Sequence, residues 1–251
     1  MIFNCFRKDP IFHNHIHGDT FEEKSLDMFK EIYSYNDLKD IFYRGILSEY
    51  NLHILLVGPP ATAKSLFLQC IDDKVKDCLY YDAANSSGVG IIHDLLNHRK
   101  TRIILIDEID KLNRKDQAIF YNLMERGEIL ITKKDSKIRH KMDNPKIFAT
   151  SNSIERLTKP LKSRFSIYHL SEYSDADFVQ IAVTLLTSKF HFSSSLSELI
   201  AELLLEKNEK DIRKILNISK LIRPKDDNLK IQKVIDTYLK YQNNDQTEFN
   251  Y

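Results

Sequence analysis

Gly58-Pro59-Pro60-Ala61-Thr62-Ala63-Lys64-Ser65 lies between the apolar run His53-Ile54-Leu55-Leu56-Val57 and Leu66-Phe67-Leu68. The order reads as a buried strand, a tight loop and a helix start, with Lys-Ser at the loop's end. A phosphate-binding loop needs that arrangement. Backbone N–H groups face phosphate oxygens, a lysine neutralises them, and a hydroxyl holds Mg2+. The stretch departs from G-x-x-x-x-G-K-[ST] at Ala63, where glycine is expected, and Ala61 stands where such loops often carry glycine. A Cβ at either place costs about 1 kcal/mol if its φ is positive.

Working outward, the chain alternates. Leu52–Val57 reads as a strand, Ser65–Asp72 as a helix and Cys78–Asp82 as a strand. Ser86-Ser87-Gly88-Val89-Gly90 reads as a loop, Ile91–Leu96 as a short helix and Ile103–Asp107 as a second near-continuous apolar strand. Lys115–Glu125 follows as a helix, with Glu128–Thr132 and Ile138–Met142 as the arms of a hairpin. Lys146–Ser151 and Ser166–Leu170 are further strands. Uninterrupted apolar runs are typical of parallel strands covered on both faces. The expected fold is α/β: a P-loop three-layer α/β/α domain with a parallel sheet.

After Tyr173 the period changes. Residues 175–190, 195–206, 209–221 and 228–241 carry helical spacing without strand signals, so a small all-helical domain is expected at 173–241 behind an α/β domain at 26–172. Residues 26–50 read as helical; 1–25 read as an irregular N-terminal segment and 242–251 as a polar tail. His13, His15 and His17 alternate in the first segment; that spacing admits a metal clip, but the plainer reading is a mobile terminus.

A second constellation is Ile103-Ile104-Leu105-Ile106-Asp107-Glu108-Ile109-Asp110. Apolar residues end in acids at the carboxyl end of a strand, where α/β sheets place ligands. Asp107 there suits the water shell of Mg2+, and Glu108 suits polarisation of a water attacking a γ-phosphate.

With these motifs in place the chain resembles the AAA+ ATPases, from about Ile32 to Leu221. Gly58–Ser65 with Leu66 corresponds to the family's Walker A loop, and Ile103–Asp110 to Walker B. Phe148-Ala149-Thr150-Ser151-Asn152 is similar to sensor 1, which implies that Asn152 orients the attacking water. Lys159-Pro160-Leu161-Lys162-Ser163-Arg164-Phe165 resembles the arginine-finger stretch, which implies that Arg164 reaches a neighbouring subunit's γ-phosphate. Asp211-Ile212-Arg213-Lys214 resembles sensor 2, with Arg213 touching the nucleotide from a helical lid. Ile32 and Tyr33 fall in the segment that cups adenine, where the family often has glycine at the position of Ser34. The resemblance implies ATP and Mg2+ as cofactors and a homo-oligomeric, hexamer-like ring with active sites at its interfaces.

The segment 127–141 resembles the hairpin inserted before sensor 1 in the branch that holds MoxR-type chaperones, RuvB and the MCM helicases. Residues 133–141 carry five Lys/Arg against one Asp. Such a patch suits a nucleic-acid backbone, so DNA is one expected substrate of a helicase-like motor. The alternatives are a MoxR-like chaperone that remodels a protein substrate or adaptor, and an ATP-binding switch with little turnover. The loop Asn85–Ile91 is a candidate pore loop, with Gly88 and Gly90 permitting movement.

Composition agrees with a soluble chain: 42% hydrophobic, 29% charged and net charge +1. No run approaches the ~20 apolar residues of a membrane span. The start Met1–Asp9 lacks a signal-peptide pattern, and Cys5, Cys70 and Cys78 show no metal spacing. A cytoplasmic protein with reduced thiols and no membrane partner is expected.

Overall fold

The computed structural model describes residues 20–133, 136–223 and 225–242, with side chains omitted at 131–133 and 136–138. The chain divides into two compact units, with the break after Ser171.

The first unit opens with α1 (Phe21–Met28) and α2 (Asn36–Leu47), followed by β1 (Leu52–Val57), α3 (Lys64–Lys74), β2 (Cys78–Asp82) and α4 (Gly88–Asn97). Then come β3 (Ile103–Asp107), α5 (Arg114–Arg126), β4 (Glu128–Lys133), β5 (Ser136–Lys141), β6 (Lys146–Ser151), α6 (Lys159–Lys162) and β7 (Ser166–His169). Five strands form a parallel sheet in the order β2-β3-β6-β1-β7, and β4 pairs antiparallel with β5. The expected α/β fold with a parallel sheet is the one observed.

Side chains alternate across a strand, so each apolar run serves two cores. Ile54 and Leu56 of β1 and Ile103 and Leu105 of β3 enter one core, beneath α1, α2 and α3. Leu55, Val57, Ile104 and Ile106 enter the other, beneath α4, α5 and α6. Covering both faces explains why the runs lack polar alternation. His53 is the buried exception. Its Nδ1 accepts the Ile147 N–H at 3.1 Å and its Nε2 lies 2.9 Å from the Met124 carbonyl, which makes Nε2 the protonated nitrogen.

Three expectations are corrected. Residues 26–50 do not form one helical stretch, and the helical structure begins inside the segment read as irregular. Thr20 closes a capping box with Glu23, which starts α1 at Phe21. Ser34 (φ 72°) and Tyr35 (φ 60°) are both left-handed, which breaks the helix before α2. Glycine at the position of Ser34 would relieve that strain. Gly88-Val89-Gly90 is not loop but the first turn of α4, where Ser87 caps the Gly90 N–H at 3.1 Å. Gly88 serves close packing there: an added Cβ would lie 2.8 Å from Asp116 Cβ and 2.9 Å from its carbonyl oxygen.

The second unit holds α7 (Asp175–Phe190), α8 (Ser194–Glu206), α9 (Ile212–Ser219) and α10 (Asn228–Gln242). Phe178, Leu186, Ile200, Leu204, Ile215 and Ile235 meet in its own core. No helix among the described residues is long and apolar enough to cross a membrane. The His13, His15 and His17 segment and the tail from 243 onward lie outside the described residues.

Candidate functional site

The carboxyl ends of β1, β3 and β6 gather the chemistry. These strands are neighbours in the sheet, so Val57, Asp107 and Ser151 deliver their following residues to one edge. The loop 58–63 leaves β1 there and feeds α3. Gly58 donates its N–H to the Ser151 carbonyl at 3.2 Å. A Cβ at Gly58 would sit 2.4 Å from the Leu170 carbonyl oxygen, so only glycine fits between loop and β7.

The two alanines behave differently. Ala61 is left-handed at φ 66°, a place where glycine avoids about 1–2 kcal/mol of strain. Ala63 has φ −69°, so its methyl group carries no such strain. Ala63 supplies no side-chain cap to α3, so the first-turn N–H groups and the positive end of the helix dipole suit an anion. Lys64 is buried, with Nζ donating to the Gly58 carbonyl at 2.8 Å, the Pro59 carbonyl at 2.6 Å and Thr62 Oγ1 at 3.2 Å. Thr62 Oγ1 in turn donates to the Pro59 carbonyl at 3.0 Å.

Ser65 Oγ donates to Asp107 Oδ1 at 3.0 Å. Thr150 also donates to Oδ1, and the Tyr80 phenol donates to Oδ2 at 2.9 Å. Burial, and next the Asp107 charge, push the Tyr80 phenol well above its ordinary range. A hydroxyl and a carboxylate oxygen at this separation form a hard-oxygen pair of the type that holds Mg2+ in a nucleotide site.

Glu108 follows in the left-handed region at φ 53°. Its N–H donates to Thr150 Oγ1 at 2.9 Å, and its Oε1 accepts from Asn152 Nδ2 at 2.9 Å. The buried Asp110 accepts the Asn152 N–H at 3.1 Å and anchors the end of β6. The structure thus brings together Lys64, Ser65, Asp107, Glu108 and Asn152. Tyr80, Thr150 and Asp110 support them and were not singled out from sequence. Thr150 carried a faint signal, a hydroxyl at the end of an apolar strand; Tyr80 carried none, since aromatic residues are ordinary in strands.

Ile32 is buried in the first core, while Tyr33 is partly exposed. Arg164 is held within the first unit. Its Nη2 pairs with Glu125 Oε2 at 2.5 Å, its Nη1 donates to the Pro160 carbonyl at 2.6 Å, and its guanidinium lies 5.2 Å from the Tyr121 ring centre. Tyr121 shares a 2.6 Å hydrogen bond with Thr158. In the second unit, Arg213 sits in the first turn of α9, capped by Asp211, with its side chain 73% exposed. On the hairpin, Arg139 pairs with Glu128 at 2.6 Å, which offsets one of the patch's charges, while Lys134 and Asp135 lie outside the described residues.

This fold and loop define a P-loop nucleotide-binding module. A family model described as the MCM P-loop domain matches residues 43–156. The chain is similar to DNA replication licensing factor MCM2 of Arabidopsis thaliana, 29% identical over 147 residues, which cover 47% of this chain and 15% of that protein. It is similar to MCM7 of the same plant at 26% over 143 residues, 46% of this chain and 20% of that protein. It is also similar to the Holliday junction branch migration complex subunit RuvB of Ehrlichia canis (strain Jake), 29% identical over 136 residues, 51% of this chain and 41% of that protein. The chain thus spans less than half the length of these relatives. MCM and RuvB proteins share the AAA+ type of ATPase module, and these matches support the resemblance of this chain to the AAA+ ATPases. The family match contains the P-loop, Asp107, Glu108, the hairpin and Asn152; Arg164 and Arg213 lie beyond it.

Proposed function

We propose that this protein binds and hydrolyses ATP with Mg2+ and couples the reaction to remodelling of DNA as an assembled, ring-like oligomer. The observation that carries the proposal is the joining of Ser65 to Asp107 and of Asn152 to Glu108 at one sheet edge.

Phosphoryl transfer needs alignment and charge neutralisation more than covalent chemistry. Lys64 and the N–H groups opening α3 hold the β- and γ-phosphates. Ser65 and Asp107 would hold Mg2+, which when bound neutralises phosphate oxygens. Ile32, being buried, offers adenine its main chain, and Tyr33 the neighbouring surface. Glu108 takes the proton of a water aligned by Asn152, and that water attacks the γ-phosphorus as its bond to the bridging oxygen breaks, yielding ADP and phosphate. Arg164 supplies positive charge to a neighbouring subunit's site.

The names of the similar proteins, replication licensing factors and a branch-migration subunit, favour DNA over a protein substrate, and the basic hairpin offers a backbone contact. A pure ATP-binding switch has no need of the Glu108–Asn152 pair. The test is ATP-dependent retention of DNA, measured by fluorescence anisotropy at low and moderate salt. Wild type is expected to bind DNA more tightly with ATP, and Lys64→Ala to lose that dependence. Equal DNA binding with and without ATP would defeat the proposal.

A further inference from the structure

Asp107 receives three hydroxyls, and one of them lies outside the motifs of a nucleotide-hydrolysing loop. Ser65 and Thr150 both reach Oδ1, whereas the Tyr80 phenol donates to Oδ2 at 2.9 Å. Tyr80 belongs to β2, which pairs in register with β3: Tyr80 lies opposite Leu105, and Asp82 opposite Asp107. Its partly buried ring packs against the first core, so a rigid strand aims the hydroxyl.

We propose that Tyr80 is a positioning residue for the metal-binding carboxylate, resting on the reading of Asp107 as a Mg2+-holding residue. A carboxylate with one oxygen tied to a fixed donor loses rotation about its terminal torsion. The tie leaves Oδ1 aimed at Ser65, the hydroxyl-bearing member of the pair. Ser65 alone cannot hold that orientation, because its own hydroxyl must turn from Asp107 when its oxygen lone pair faces a cation. Tyr80 stays in place through that change, since its partner is the other oxygen. The same logic governs outer partners of metal ligands generally, whose removal costs about 10–100-fold in metal affinity.

The experiment is a Mg2+ titration of this chain at fixed fluorescent ATP analogue, with an EDTA arm, comparing wild type, Tyr80→Phe and Asp107→Asn. Tyr80→Phe keeps the ring and removes only the donor. The expected result is a rise of about tenfold in half-saturating Mg2+ for Tyr80→Phe, with nucleotide affinity in EDTA and the nucleotide-free melting temperature unchanged. Asp107→Asn should raise the midpoint further. Electron paramagnetic resonance of bound Mn2+ gives a second readout and should show weaker binding in Tyr80→Phe. An unmoved midpoint in Tyr80→Phe beside a shifted Asp107→Asn would overturn the role of Tyr80 alone. An unmoved midpoint in both would overturn the metal assignment beneath it. Equal loss of affinity in EDTA, with a lowered melting temperature, would make Tyr80 a packing residue and overturn the inference.

Discussion

Asn152 Nδ2 donates to Glu108 Oε1 at 2.9 Å, joining residues that follow two adjacent strands of the sheet. The bond holds the carboxylate while its backbone sits in the strained left-handed region. Glu108→Gln keeps that geometry but removes the proposed base. Turnover should fall by roughly 10^2–10^4-fold while ATP affinity stays near wild type. Asn152→Ala should lower kcat by a smaller factor with little change in KM. Both are read from steady-state kinetics and equilibrium nucleotide binding, and full turnover in Glu108→Gln would remove Glu108 from the mechanism.

Arg164 is pre-ordered by Glu125, the Pro160 carbonyl and the Tyr121 ring. Its hydrogen bond and charge hold the Glu125 carboxyl below the usual carboxylate range. If the arginine acts across a subunit boundary, Arg164→Ala should spare ATP binding and cut turnover by about 10^3-fold or more. Arg164→Lys should rescue poorly, because an ammonium lacks the planar fork. Mixing Arg164→Ala with Glu108→Gln protein should restore part of the rate, since each variant supplies what the other lacks. No restoration in the mixture, with assembly intact, would place the arginine's action within its own subunit.

Gly88 illustrates how tight packing replaces the mobility expected of it. Gly88→Ala would press a methyl group against Asp116 and should cost about 1–3 kcal/mol in urea denaturation. Gly58→Ala, aimed at the Leu170 carbonyl, should be at least as costly and should also weaken ATP binding. A Gly88→Ala protein as stable as wild type would show that α4 and α5 part easily.

His53 gives the fold a pH dependence. Burial depresses its pKa, and the Met124 carbonyl opposes that only in part. Nδ1 must stay unprotonated to accept the Ile147 N–H. A base whose folded pKa is lowered binds fewer protons folded than unfolded, so stability rises with pH through that window. The contribution is complete above the ordinary value of about 6.5 and is lost as pH falls below it. Melting temperature should drop from pH 7 to pH 5, and His53→Gln should flatten that drop. At pH 7, His53→Ala should cost about 1–3 kcal/mol by orphaning two buried backbone groups.

The α/β class, the parallel sheet and the phosphate loop were legible because continuous apolar runs and a Gly-Pro-Pro…Lys-Ser turn are local patterns. Asp107 and Glu108 were legible because acids ending a buried strand stand out. Tyr80, Thr150 and Asp110 were not, since their role depends on which strands become neighbours, and no local pattern carries strand order. Helix boundaries failed where side chains decided them: Thr20 with Glu23 at α1, and Ser87 at α4. The effect of the two alanines was equally hidden, since only φ separates the strained Ala61 from the relaxed Ala63.

The most direct measurement is steady-state ATP turnover per subunit against protein concentration, with Mg2+, with and without single-stranded and duplex DNA. An assembled, DNA-coupled ATPase predicts a rate that rises with concentration and rises again on adding DNA. A protein that binds ATP yet shows no Mg2+-dependent turnover at any concentration, with or without DNA, would contradict it.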